Sequence, residues 1–225
     1  MASQAQANQP ANGEQRGLFI TLEGVDGAGK STHVQWLAER IAEYGVPVLT
    51  TREPGGTPLG EQLRELLLHH DMHIGTEALL VFAARNEHLQ TRITPALEAG
   101  TWVVCDRFTD ASYAYQGGGR QLGEQRIAVL EEWVHPHVQP DFTFLFDVPL
   151  EVAWQRVHGG RNPDRFEQEE GAFFERTRKA YLERARQHPE RFCIIDATRP
   201  IADTRATLLE QLARLTGEIP SGPAS

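Results

Sequence analysis

Gly24-Val25-Asp26-Gly27-Ala28-Gly29-Lys30-Ser31 follows an apolar, β-like run and opens an amphipathic stretch. The spacing is G-x-x-x-x-G-K-[ST], in the strand-to-helix setting that gives this motif its force. The glycines let backbone N–H groups turn toward one anion, and the helix beyond adds the positive end of its dipole. Lys30 is placed to reach the β and γ phosphates of a nucleotide, and Ser31 to ligate Mg²⁺. Thr32 reads as a first-turn residue of that helix and is counted with the loop. Asp106 ends the run Val103-Val104-Cys105. A carboxylate there is a second group near Mg²⁺, the cap of the next helix, or both.

Phosphoryl transfer brings two anions together, so it needs fixed cations. Arginine suits this because its planar fork binds phosphate in bidentate fashion. Arg52 and Arg107 stand at the ends of the second and third apolar runs. Arg156, Arg161 and Arg165 flank Gly159-Gly160-Arg161-Asn162-Pro163-Asp164, whose Gly, Asn, Pro and Asp are those of a mobile loop. This predicts a lid near 157–168 that closes an arginine over the transferring phosphoryl; of Arg161 and Arg165 the reading favours Arg161. Arg176, Arg178, Arg184, Arg186 and Arg191 read as helix-face cations paired with Glu175, Glu183 and Glu190.

Other chemistries lack their residues. Asp147-Val148-Pro149 offers no Asp-x-x-Gly switch, and no Asn-Lys-x-Asp guanine reader is present. His69, His70, His73, His135 and His137 have no metal-site spacing and read as surface or helix-end residues. The metal expected here is Mg²⁺ held by oxygen. Cys105 and Cys193 each sit inside an apolar run and read as buried thiols of a reducing compartment.

These residues need a scaffold that gathers them. Five apolar runs recur: Leu18–Leu22, Val46–Thr51, Thr101–Asp106, Phe142–Asp147 and Phe192–Asp196. Between them lie segments of helical period: Val34, Leu37, Ala38 and Ile41; Leu63, Leu66 and Leu67; a long stretch Glu77–Glu98; Ile127, Leu130 and Val134; Phe173, Phe174, Thr177, Ala180 and Tyr181; and Ala206, Leu208, Leu209 and Leu212. Alternation of this kind predicts an α/β, three-layer P-loop NTPase fold. Its five-stranded parallel sheet carries helices on both faces. Ligands then bind beyond the carboxyl ends of the strands, where the glycine loop, Arg52, Asp106 and Arg107 converge.

The chain has 225 residues and a net charge of −9, which argues against a coat for a nucleic acid polymer. No apolar run approaches a membrane span. The polar residues 1–16 and the segment 217–225 read as tails around a single domain, 17–216, and the whole as cytoplasmic.

The chain resembles bacterial thymidylate kinases from about Gly17 to Leu215. The resemblance rests on EGVDGAGKST at Glu23–Thr32, TREPGGT at Thr51–Thr57, FAAR at Phe82–Arg85, DRFTDASYAYQGGGR at Asp106–Arg120 and DRFEQE at Asp164–Glu169. It implies transfer of the γ-phosphoryl of ATP to dTMP, with Mg²⁺, in a homodimer. It implies that Arg52 and Arg107 hold the acceptor phosphate and that Phe82 stacks on thymine, although by periodicity alone Phe82 is equally a core residue. Arg85, Ser112 and Gln116 would meet the base, and Tyr115 would lie under the sugar and disfavour a 2′-hydroxyl. Asp26 in the loop marks the type that carries its catalytic arginine in the lid. Arg156 aligns with an arginine that stacks on adenine, with Thr198 nearby. A nucleoside kinase fits less well because a neutral acceptor needs no phosphate clamp of Arg52 and Arg107, and a non-catalytic P-loop module fits less well because it needs neither lid arginines nor a base pocket.

Overall fold

The computed structural model describes residues 16–158 and 165–217. Its sheet has five parallel strands: β1 (Phe19–Glu23), β2 (Val48–Arg52), β3 (Trp102–Asp106), β4 (Phe142–Asp147) and β5 (Phe192–Asp196). The order is β2-β3-β1-β4-β5. β1 and the middle of β4 are buried throughout, as expected of strands covered on both faces. Strand order reverses beside β1, so a ligand crevice opens at the carboxyl ends of β1 and β3. The register aligns Leu22 with Asp106 and Arg52 with Asp106, which brings three of the expected site segments to one edge.

The helices are α1 (Ser31–Glu43), α2 (Pro58–His69), α3 (Ile74–His88), α4 (Thr94–Glu98), α5 (Thr109–Ser112), α6 (Glu124–Val134), α7 (Leu150–His158), α8 (Arg165–Gln187) and α9 (Ile201–Thr216). The expected helix Glu77–Glu98 starts earlier, at Ile74, and its middle, Leu89–Ile93, is π-helical. Pro95 has no N–H to give and crowds the turn before it, which a widened turn accommodates. A second π-helical stretch, Tyr113–Gly119, continues α5. It contains three consecutive glycines, Gly117, Gly118 and Gly119. Packing explains them: a Cβ at Gly118 would lie 2.6 Å from Ala180 Cβ on α8. Glycine here is a condition of close helix approach.

Three sequence readings are corrected. Cys105 is buried as expected, but Cys193 is only half-buried, because β5 is an edge strand. His135 is buried rather than at the surface, with Nε2 2.7 Å from Thr109 Oγ1 and Nδ1 3.1 Å from Val138 O. The arginines of α8, and Arg191 just before β5, do not all pair along a helix face. Arg184 and Arg191 both bind the buried Asp110, Arg178 binds Asp147, and Arg176 donates to Gly119 O; only Arg186 meets Glu183 as read. Long-range partners win because they hold α8 against the sheet and the second π segment.

Arg16, read as tail, pairs with Asp141 at 2.7 Å. Residues 1–15, the lid interval 159–164 and residues 218–225 lie outside the described residues.

Candidate active site

β1 delivers the glycine loop. Gly24, Gly27 and Gly29 all have positive φ, and a Cβ on Gly24 would lie 2.5 Å from Phe146 O of β4. Lys30 folds back across the loop, donating from Nζ to Gly24 O at 2.8 Å and Val25 O at 3.1 Å. Burial and the nearby charge of Arg107 push its ammonium down to about 8. Ser31 and Thr32 are exposed at the start of α1. Asp106 Oδ1 is buried without a hydrogen-bond partner.

Arg107 follows β3 with φ 70°, a left-handed conformation that a non-glycine residue adopts at a cost. Its surroundings hold that turn. Arg107 N donates to Leu22 O at 3.1 Å, Cys105 Sγ donates to Arg107 O, and Phe108 N donates to Glu23 Oε1 at 2.7 Å. Tyr181 of α8 donates to the other oxygen of Glu23 at 2.8 Å. Burial, then the Asp110 charge, pushes the Glu23 carboxyl up to about 8. The turn aims the guanidinium outward: Nη2 donates to Asp26 Oδ1 at 2.6 Å and to Tyr115 Oη at 3.0 Å. Tyr115 in turn donates to Asp26 Oδ2 at 3.1 Å.

Beside this trio lies a cavity of about 230 Å³. One helix face lines it, with Glu77, Val81 and Arg85 at successive turns of α3. Phe82, one position on, is 2% exposed, packs with Tyr113 and Ile127, and does not line the cavity. The expectation that Phe82 carries the base is therefore corrected: its ring points into the core, and Val81 takes the cavity position. The ring supports Arg85 instead, whose guanidinium carbon lies 4.6 Å from the Phe82 centroid and 5.0 Å from that of Phe108.

Arg85 is 1% exposed and nearly saturated. Nε donates to Glu53 Oε2 at 2.7 Å, and Nη2 to Phe108 O at 3.1 Å and Ser112 Oγ at 3.0 Å. Only Nη1 has no partner. Gln116 Nε2 donates to Glu77 Oε1 at 2.9 Å, which leaves its carbonyl oxygen to the cavity it lines. Ser112, Tyr115 and Gln116 thus come together with Arg85 and Arg107 as expected.

Arg52 does not line this cavity. Its side chain is 55% exposed and Nη2 donates to Glu61 at 2.8 Å, so an acidic residue in the first turn of α2 has drawn it aside. Arg64 of α2 lines the cavity in its place. Burial, then the charges of Arg52 and Arg107 against the opposing pull of Glu61 and Asp106, lowers the Arg64 guanidinium, so three arginines are gathered here. A larger depression, about 430 Å³, lies between Tyr113–Gly119 and α8, but no glycine-loop residue borders it.

On the far side of the loop, Arg156 of α7 donates to Gly27 O at 3.3 Å and to Ala197 O at 2.8 Å. It bridges the loop and the segment after β5, where Thr198 is bound to Asp196. Arg161 lies outside the described residues; Arg165 begins α8, and its side chain is not among those described. Sequence reasoning placed Glu53 beside Arg52 at the end of the second strand, but missed Glu23, Arg64, Val81, His88 and Tyr181. Of these, Val81 and His88 were open to helical spacing, one turn on either side of Arg85.

The family model for thymidylate kinase matches residues 22–208. A thymidylate kinase of Bordetella petrii is 64% identical over 200 residues, 89% of this chain and 97% of that protein. One from Cupriavidus metallidurans is 62% identical over 200 residues, 89% of this chain and all of that protein. The crystal structure of thymidylate kinase from Ehrlichia chaffeensis superposes with a TM-score of 0.72 at 35% identity, covering 88% of this chain and 99% of that one.

Proposed function

The chain belongs to the thymidylate kinase family, and we propose from that premise that it moves the γ-phosphoryl of ATP to the 5′-phosphate of dTMP, giving dTDP and ADP. One observation carries the mechanism: the guanidinium of Arg107 borders the acceptor cavity and at the same time binds Asp26 of the glycine loop at 2.6 Å. A single cation thereby serves both phosphates, and it is the one held in a left-handed turn. Two anions approach each other only if the repulsion between them is offset at the point of contact.

In this reading the loop amides and Lys30 hold the ATP phosphates, and Lys30 exchanges its two carbonyl acceptors for phosphate oxygens. Arg156 and Thr198 border the adenine side. Arg107 leaves Asp26 for the acceptor phosphate, joined by Arg64, and by Arg52 once it exchanges Glu61. Exposed pairs such as Arg52–Glu61 are worth about 0–1 kcal/mol, so that exchange costs little. Arg85 Nη1 donates to a base carbonyl, Ser112 keeps the guanidinium in place, and Gln116 offers its carbonyl to the imide N–H. The base lies against Pro54, Leu68 and Val81, which is apolar company for a 5-methyl group. Tyr115, fixed through its hydroxyl, walls the sugar and opposes a 2′-hydroxyl by bulk. Arg161, outside the described residues, is the cation proposed for the transferring phosphoryl. The acceptor is already an anionic nucleophile at neutral pH, so no general base is needed, and Asp26 serves orientation.

Oxygen donors fit a Mg²⁺ ion here: Asp106 has a buried, unpartnered Oδ1 and Ser31 an exposed hydroxyl. The ion's remaining ligands would come from phosphate and water. Bound there, the ion neutralises charge on the β and γ phosphates.

A homodimer is proposed through α3 and α6. Leu79, Val129 and Trp133 are exposed there, Trp133 at 77%, beside an apolar groove. Among the described residues no helix is long and apolar enough to cross a membrane. A cytoplasmic site is proposed from the two unpaired cysteines and the ATP chemistry.

Replacing Arg107 with alanine tests the mechanism. Turnover should fall by about 10²–10³, with KM for dTMP raised and the melting temperature kept. Near-normal turnover in the folded variant would remove Arg107 from its role.

A further inference from the structure

We infer that His88, which the reaction above does not use, is a positioning residue: through Glu53 it fixes the guanidinium of Arg85 and ties it to the loop that follows Arg52 at the end of β2. The inference rests on the assignment of Arg85 to the thymine base.

His88 is wholly buried in the last turn of α3, one turn beyond Arg85. Its Nδ1 lies 3.0 Å from Glu53 Oε1 and its Nε2 2.6 Å from Thr51 Oγ1. Burial opposes charge on Glu53, but Arg85 and His88 together hold its carboxyl below the usual range. An ionised carboxylate only accepts, so Nδ1 carries the ring proton and Nε2 is left to meet the Thr51 hydroxyl. The other oxygen of Glu53 takes the Nε–H of Arg85.

The need for His88 follows from glutamate stereochemistry. The last torsion of a glutamate is broad, so its rotamer does not fix the plane of the carboxylate. A partner on each oxygen does. His88 on Oε1 sets the direction of Oε2, and Oε2 sets the guanidinium whose Nη1 is left for the base. Without that second partner the carboxylate turns and the reader turns with it.

A separate observation shows how tightly this joint is built. Gly56 has φ 79°, and a Cβ there would lie 2.6 Å from Thr51 Oγ1 and nearer still to His88 Nε2. The loop therefore closes directly over the imidazole. Glu53 N donates to Asp106 O at 2.9 Å, which anchors the same loop to the end of β3. Base reader and phosphate loop share one buried network, and His88 is the link between α3 and that loop.

Two amides separate the roles of the ring nitrogens. Asparagine places its amide near the position of Nδ1, glutamine near that of Nε2. His88→Asn should therefore keep the Glu53 bond, and His88→Gln should lose it. The KM for dTMP should rise about tenfold in His88→Gln, the equivalent of about 1.4 kcal/mol. In His88→Asn it should rise less than about threefold. KM for ATP should be unchanged in both. Thr51→Val keeps the Glu53 bond and should follow His88→Asn; it decides the matter alongside that variant if His88→Gln does not fold. A comparable dTMP loss in His88→Asn or Thr51→Val, or a parallel rise for ATP and dTMP, overturns the inference. Arg85→Lys separates the two layers. If it raises KM for dTMP while His88→Gln does not, the positioning role fails and the base assignment stands. If Arg85→Lys leaves KM for dTMP unchanged, the base assignment itself fails.

Discussion

Residue 107 shows how a cation can be aimed by backbone rather than by rotamer. Its left-handed turn is held by Leu22, Cys105 and Glu23, and the guanidinium then meets Asp26 and Tyr115. The sequence names Arg107 as a candidate through its place after an apolar strand. It says nothing of Glu23, because a carboxylate that accepts from a backbone N–H eighty-five positions away leaves no local pattern. Phe82 shows the opposite failure: one residue of helical phase, about 100°, decides whether a ring faces a cavity or a core. Phe82→Ala should accordingly destabilise the fold by about 3–5 kcal/mol, read as a lower melting temperature. Val81→Ala should raise KM for dTMP while leaving the melting temperature nearly unchanged. The reverse pattern would return the base platform to Phe82. Burial, then the Arg85 charge, pushes the His135 imidazole down to about 4. Between pH 4 and the unfolded value near 6.5 the unfolded chain binds the extra proton, so stability falls as pH is lowered through that window. From pH 7 to pH 5 the loss attributable to this group is about 2 kcal/mol. Denaturant unfolding at the two pH values should show that loss shrinking in His135→Asn; an unchanged loss would mean the histidine charges without penalty.

Among the elements, the central strands β1, β3 and β4 were legible as near-continuous apolar runs buried on both faces, and the partly exposed edge strands β2 and β5 as short runs rich in apolar and β-branched residues. Helix α3 was legible by period, but its π-helical continuation was not, since its cause is a proline acting on the turn before it. Tyr113–Gly119 was hidden altogether: three glycines carry no helical signal, yet they allow α8 to approach the helix closely. Gly118→Val should cost about 1–3 kcal/mol by overpacking against Ala180. Calorimetry should find Tm lowered by about 2–4 °C for each kcal/mol. Because α8 also carries Tyr181 to Glu23, turnover should fall more than stability alone accounts for. A variant as stable and active as the parent would show that the close approach is dispensable.

For the molecule as a whole, the fold brings a glycine loop, a gathered set of arginines and a base-sized cavity to the carboxyl ends of two adjacent strands. That convergence is what separated a phosphate acceptor from a hydroxyl acceptor on sequence alone, and the cavity adds a reader with one unpartnered nitrogen, Arg85 Nη1. The exposed stripe of α3 and α6 belongs to this scale too. Sedimentation should give twice the 25.2 kDa chain mass, and Trp133→Asp should shift the population to single chains; a parent that sediments as one chain would leave that stripe without its proposed partner. Acceptor identity is read from ADP release from MgATP, with dTMP, dUMP, UMP, dCMP, AMP, GMP and thymidine offered separately. Turnover should be strong with dTMP, weaker with dUMP and slight with the others. Turnover with thymidine but not dTMP, or slow release indifferent to the acceptor, would contradict dTMP as the acceptor.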